Sequence, residues 1–124
     1  MLVVVVGIGA ILLRPVEFTI DAQADSLSVA TVTDNKEIAD RDTIEKLVAA
    51  LNRTEYRKAI FPEKETPENL IAVVSVICNN SSLADIVVKG SDQQSFQFYV
   101  NESGTQLVAF DGTEITEILS TIVF

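Results

Sequence analysis

Gly7 and Gly9 follow a run of four valines in the opening stretch MLVVVVGIGAILLRP, and this spacing is typical of dinucleotide-binding turns. Such a turn needs G-x-G-x-x-G or A, because the third small residue lets the following helix pack closely on the strand. Leu12 occupies that third position. Pro15 would then interrupt the helix, which costs about 3 kcal/mol. We therefore reject a dinucleotide site and expect no cofactor.

The side chains that carry acid–base and nucleophilic catalysis are scarce. The chain has no histidine, the commonest general base and metal ligand. Its single cysteine, Cys78, lies in the apolar run IAVVSVICNN, where a thiol behaves as a small hydrophobic group. The sequence contains no S-x-x-K, nucleophile elbow, phosphate loop or Cys/His metal spacing. We predict that the protein is not an enzyme, and we assign it no catalytic and no metal-binding residues.

Asp40, Asp42 and Glu45 are spaced closely enough to suggest a metal site. They also stand where an amphipathic helix begins, and there an aspartate N-cap and first-turn carboxylates are favoured by the free amides and the helix dipole. Capping explains all three residues, so we interpret them as structural.

The formal net charge is −9, from 18 acidic and 9 basic residues. An acidic chain repels phosphate backbones, which argues against nucleic-acid binding. After Lys89 there is no Lys or Arg, whereas five acidic residues follow: Asp92, Glu102, Asp111, Glu114 and Glu117. We expect a solubilising surface here, with a face for a basic partner or a divalent cation as the alternative.

Residues 54–69, TEYRKAIFPEKETPEN, form a long predicted connection in which we expect a binding surface. Pro62 and Pro67 argue against regular structure across it, and long connections in small domains are often functional. We expect three apolar or aromatic side chains to hold the connection against the core: Tyr56, Ile60 and Phe61. The binding residues that we assign are Tyr56, Arg57, Lys58 and Phe61.

Residues 2–13 are apolar without interruption, and two interpretations remain open. As a helix, twelve residues rise about 18 Å, less than the roughly 30 Å hydrocarbon core of a membrane. The length does match the hydrophobic region of a signal sequence. No basic residue precedes it, which an N-terminally clipped sequence would explain. Because the apolar run continues to Leu13 without a polar break, we favour an uncleaved, N-terminally clipped membrane anchor (residues 1–14). The alternative is a buried strand, since LVVVV is β-branched, and it would make the protein cytosolic.

The remaining residues, 15–124, are predicted to form one α+β domain. VEFTI (16–20), SLSVATVT and EIA are predicted as strands, followed by the main amphipathic helix at about 41–53, which Asn52 is expected to close. Its apolar stripe comprises Ile44, Leu47, Val48 and Leu51.

Four strands follow the connection and alternate with short turns, which predicts an antiparallel β-sheet meander. They are LIAVVSVIC, the most apolar and therefore predicted to be central, then LADIVVK, SFQFYVN and QLVAF. A short C-terminal helix is predicted from Ile115, Ile118, Leu119 and Ile122, with Asp111 and Glu114 spaced as a capping pair.

The order of these elements, and chiefly the helix pattern I-E-K-L-V-x-x-L-N, resembles the small YhfM-like domains of unknown function in cell-envelope proteins of Gram-positive bacteria. The likeness covers about residues 16–124. It implies a hydrophobic leader or lipid anchor ahead of one helix and an antiparallel sheet. The chain departs from members with a lipobox, because it lacks their N-terminal cysteine, so lipidation is not expected. The resemblance brings no catalytic residues.

We therefore expect a non-catalytic, membrane-anchored, extracytoplasmic domain that binds a protein or an envelope ligand through its sheet or through residues 54–69. The alternative is a cytosolic acidic inhibitor or immunity-like protein that covers a basic partner surface.

Overall fold

The computed structural model describes residues 15–16, 18–62, 64 and 68–124, which form an antiparallel sheet with two helices. The predicted α+β fold class is confirmed. Residues 1–14, predicted as an anchor or a buried strand, lie outside the described residues. In chain order the elements are β1 (Ser26–Thr31), β2 (Asn35–Ile38), α1 (Arg41–Arg53), β3 (Tyr56–Lys58), β4 (Leu70–Cys78), β5 (Ser81–Asp92), β6 (Ser95–Glu102), β7 (Thr105–Ala109) and α2 (Thr113–Val123).

The seven strands lie in the order β2-β1-β4-β5-β6-β7-β3, and every neighbouring pair is antiparallel. The predicted meander is therefore present as β4 to β7. Strand β4 is interior, but the middle position belongs to β5, because β1 and β2 add only two strands beyond β4.

Two tight turns set the register of this meander. Asn79 and Asn80 join β4 to β5 with φ of 52° and 63°, and Ser103 and Gly104 join β6 to β7 with φ of 50° and 83°. Two consecutive residues with positive φ give the turn twist that matches the twist of paired strands. Short local pairing therefore builds the C-terminal half of the sheet.

Strand β3 lies within the 54–69 connection, where no regular structure was predicted. Tyr56 pairs with Ala109 and Lys58 with Leu107, which makes β3 the edge of the sheet beside β7. The prediction was wrong here because the partner strand is distant in sequence, and the local pattern around Pro62 gives no indication of it.

One face of the sheet carries the hydrophobic core. Val74 of β4 lies opposite Ile86 of β5, and both side chains are fully buried. The two helices pack on this face through their apolar stripes, and burying each such side chain contributes about 1.5–3 kcal/mol. The buried helix residues are Ile44, Leu47, Ala50 and Leu51 of α1 and Ile115, Leu119 and Ile122 of α2. Both predicted helices are confirmed.

A strap of residues 18–25 crosses from the β3 edge to the start of β1. Phe18 and Ile20 are buried in the core, as their alternation predicted, but they lie outside the strands, and Val16 makes only an isolated bridge to Tyr56. Asn52 holds the strap by accepting from the Ile20 amide at 2.8 Å and donating to the Ile20 carbonyl oxygen at 3.2 Å. Asn52 therefore does not close α1, which ends one residue later and has Thr54 as its C-cap.

Candidate functional site

Tyr56, one of the four predicted binding residues, lies in the core. Its side chain is fully buried, its ring makes an edge-on contact with Phe18 at 5.4 Å between centroids, and its hydroxyl donates to the Leu51 carbonyl oxygen at 2.8 Å. Burial raises the pKa of the Tyr56 hydroxyl far above its ordinary value, so the phenol stays neutral. Its side chain offers no surface to a ligand and instead fixes β3 to the end of α1.

Arg57 and Lys58 continue β3 and are held through their main chain. Arg57 lies opposite Val108 and Lys58 opposite Leu107, and the Ala59 amide donates to the Gln106 carbonyl oxygen at 3.0 Å. The Arg57 side chain is half-buried, whereas that of Lys58 is exposed. The sheet therefore fixes the backbone that carries these two adjacent cationic side chains.

Ile60 and Phe61 are exposed to 41% and 89%, so the prediction that they pin the connection to the core is wrong. The pairing of β3 with β7 holds the connection on the domain instead, and the chain leaves the sheet after Ala59. We call the group Arg57, Lys58, Ile60 and Phe61 the β3 corner. The stretch RKAIFP contains two cations, two exposed apolar side chains and no acid, which suits contact with a surface that is both apolar and anionic.

The chain enters the domain beside this corner. The Val16 amide donates to the Tyr56 carbonyl oxygen at 2.7 Å, and the two residues form an antiparallel bridge. In an antiparallel pair the step from Val16 back to Pro15 runs toward Lys58. The entry of the chain and the β3 corner therefore share one end of the same edge strand.

Acidic residues from distant parts of the chain meet in a groove between α1 and α2. Asp42 forms an ion pair with Lys46 at 3.0 Å, and Glu114 forms one with Arg53. The groove is also lined by Glu45, Ala49, Glu117 and Ile118. Four carboxylates against two cations leave this surface acidic, and its exposed pairs contribute little to stability.

Two aspartates accept hydrogen bonds at the helix starts. Asp40 accepts from the Thr43 hydroxyl at 2.6 Å and from its amide at 3.2 Å, which confirms the predicted N-cap. Asp111 accepts from the Thr113 hydroxyl at 2.7 Å and from its amide at 3.1 Å. These bonds hold the pKa of both carboxyl groups below their ordinary range.

The predicted capping pair of Asp111 and Glu114 is only half correct. Gly112 is the N-cap of α2 and supplies no side-chain bond, while Asp111 binds Thr113 from one position earlier. Glu114 turns to Arg53 on the other helix instead of completing a capping box. The D-x-x-E spacing therefore anticipated Asp111 but not the role of Glu114.

A polar cluster on β4 and β5 was not predicted from the sequence. Asp85 accepts from the Ser75 hydroxyl at 2.7 Å and from the Ser82 hydroxyl at 2.8 Å, and it lies opposite Asn101 of β6. The indication was a single acid among the apolar residues of LADIVV. Because both hydroxyls donate to the same carboxylate oxygen, the cluster satisfies a half-buried charge, and the register that assembles it is not readable from the sequence.

Cys78 is half-buried at the end of β4, where it lies opposite Ser81. Across the described part of the chain, no three Cys, Asp or Glu side chains are grouped so that they could hold a metal ion. The described helices also include none that is both long and apolar enough to cross a membrane.

Comparison with known proteins finds no match to this chain among family models, curated proteins or solved structures.

Proposed function

We propose that residues 15–124 form a non-catalytic domain that residues 2–13 hold at the outer face of a membrane, and that the β3 corner is its binding surface for a protein or envelope ligand. The observation that carries the proposal is the bridge between Val16 and Tyr56. It places the entry of the chain, preceded by twelve apolar residues, at the same sheet edge as the exposed Phe61. The pattern shared with YhfM-like envelope domains supports the same location.

Cell fractionation tests the location. The native full chain is expected in the membrane fraction and open to protease added outside intact cells. A variant without residues 2–13 is expected to leave the membrane fraction, because the apolar area that holds it there is gone. Recovery of the full chain in the soluble cytosol would overturn the proposal.

A matched pair of variants tests the binding surface. The first combines Arg57→Ser, Lys58→Ser and Phe61→Ser. The control combines Asp42→Asn, Glu45→Gln and Glu117→Gln on the helical groove. Cross-linking in intact cells is expected to lose its adducts in the first variant and to keep them in the second. Adducts that survive the first variant would remove the β3 corner from consideration.

The acidic groove between α1 and α2 supports a second candidate, an acidic inhibitor or immunity-like protein of the cytosol. Its four carboxylates come from two helices and form a surface suited to a basic partner. This candidate predicts the reverse result, with adducts lost in the groove variant and the chain recovered from the cytosol.

A further inference from the structure

The β3 corner exposes two large apolar side chains to solvent. Phe61 is 89% exposed and Ile60 41%, although a phenylalanine ring is among the side chains that gain most from burial. Backbone hydrogen bonds to β7 fix the chain up to Ala59, so Ile60 and Phe61 directly follow a fixed backbone. The exposed pair is therefore available to an occupant that removes it from water.

The charge beside this pair restricts the occupant. The whole chain carries −9, yet Arg57 and Lys58 are adjacent cations, and no acid occurs from 57 to 62. The cationic stretch ends at Pro62, because Lys64 lies between Glu63 and Glu65 in the sequence. Basic side chains next to an aromatic one are the combination found where proteins meet anionic lipid, since the ring enters the headgroup level and the cations stay at the phosphates.

The direction of the chain supplies the second argument. Val16 pairs antiparallel with Tyr56, and the step to Pro15 runs toward Lys58 and the corner. A membrane that receives residues 2–13 would therefore be approached first by this end of β3. Phe110, also exposed, marks the opposite end, because its amide donates to the Glu55 carbonyl oxygen at 2.9 Å.

We propose that the β3 corner rests on the membrane itself, with Phe61 and Ile60 in the interfacial layer and Arg57 and Lys58 on anionic headgroups. The inference rests on the proposed membrane anchoring and names the ligand of the same surface. It gives the domain a fixed orientation, with the Lys58 end of β3 toward the lipid and the Phe110 end away from it.

The chain contains no tryptophan, so a single Phe61→Trp substitution in the full chain reports on this corner alone. Phe110→Trp is the matched control at the other end of β3. With vesicles of phosphatidylcholine and phosphatidylglycerol, we expect a blue shift of the Phe61→Trp emission and quenching by brominated lipid, and neither for Phe110→Trp. Adding Arg57→Ser and Lys58→Ser to Phe61→Trp is expected to abolish the blue shift.

The outcomes separate the two proposals. If neither variant floats with the vesicles, the anchoring fails, and the inference fails with it. If both variants float but their emission is alike and unshifted, the anchoring stands and the inference is overturned. An equal blue shift in vesicles of phosphatidylcholine alone would overturn the role given to Arg57 and Lys58.

Discussion

The Tyr56 hydroxyl donates to the Leu51 carbonyl oxygen at 2.8 Å and thereby joins the edge strand to the last turn of α1. Carbonyl groups in the last turn of a helix lack partners within the helix, so this bond satisfies one of them in the core. Tyr56→Phe keeps the ring and leaves that oxygen unsatisfied. We expect the free energy of unfolding to fall by about 1–2 kcal/mol, measured by urea unfolding.

The control for Tyr56→Phe is Phe61→Leu, a change at a side chain that is 89% exposed. Exposed substitutions of this kind alter stability by less than about 0.5 kcal/mol. If the two variants unfold at the same urea concentration, the bond to Leu51 does not stabilise the domain.

Gly90 adopts φ of 150° at the irregular pairing of β5 with β6. A Cβ atom there would collide with the Ser95 carbonyl oxygen and lie 2.6 Å from the Phe96 Cα atom, and neither backbone atom can move aside cheaply. We expect Gly90→Ala to lower the free energy of unfolding by more than about 2 kcal/mol.

Gly104→Ala is the control that separates the steric cost at Gly90 from the cost of a positive φ. Gly104 adopts φ of 83°, but no described atom lies within 4 Å of its added Cβ. Gly104→Ala is expected to cost about 1 kcal/mol. Equal losses in the two variants, measured by thermal unfolding, would contradict the close approach of β6 to Gly90.

Asn52 holds the strap through two bonds to Ile20, and both require the side-chain amide. Asn52→Leu preserves size and removes both bonds, so we expect a loss of about 1–2 kcal/mol. Hydrogen exchange of the Ile20 amide is expected to accelerate more than that of the Ile44 amide, which bonds within α1 to Asp40. Equal acceleration of both amides would indicate general destabilisation and not a released strap.

Asp40 provides a test of pH dependence. Hydrogen bonds from Thr43 hold the pKa of its carboxyl group below the ordinary value, so the folded state favours the carboxylate. The stability that this group contributes is complete above the unfolded pKa and is lost as the pH falls through the folded one. In a carboxyl NMR titration, Thr43→Val should move the Asp40 midpoint upward, because it removes the hydroxyl donor, which is the largest cause of the shift.

Asp111 is the internal reference for this titration, because Thr113 holds it in the same way. Its midpoint should stay in place in Thr43→Val and move upward in Thr113→Val. Coupled movement of both midpoints in either variant would point to a change of the whole helical layer.

The local sequence pattern was sufficient to predict the elements whose contacts lie close in sequence. Asp40 and the stripe through Ile44 and Leu47 define α1 within a few turns, and the asparagines at 79 and 80 place the first hairpin. In these cases the residues that specify an element also make its contacts. The predicted α+β class follows from them.

Features that depend on distant partners were missed or misjudged. The core position of Tyr56 agrees with its expected role in holding the connection, but its strand pairing with Ala109 was not predicted. Phe61 was expected to hold the connection on the core, but β3 ends before it and its side chain is exposed. The exposure of the side chains in residues 54–69 therefore required the three-dimensional structure, because it depends on where β3 pairs and where it ends.

The pairing of Tyr56 with Ala109 also dictates an order of assembly. Contacts between distant segments form late, because the intervening chain must first be closed into a loop. During synthesis from the N-terminus, Phe18 and Tyr56 leave the ribosome well before Ala109. The β3 strand therefore lacks its partner until Ala109 has left the ribosome, and in that interval the nascent chain is more open to chaperones and to aggregation.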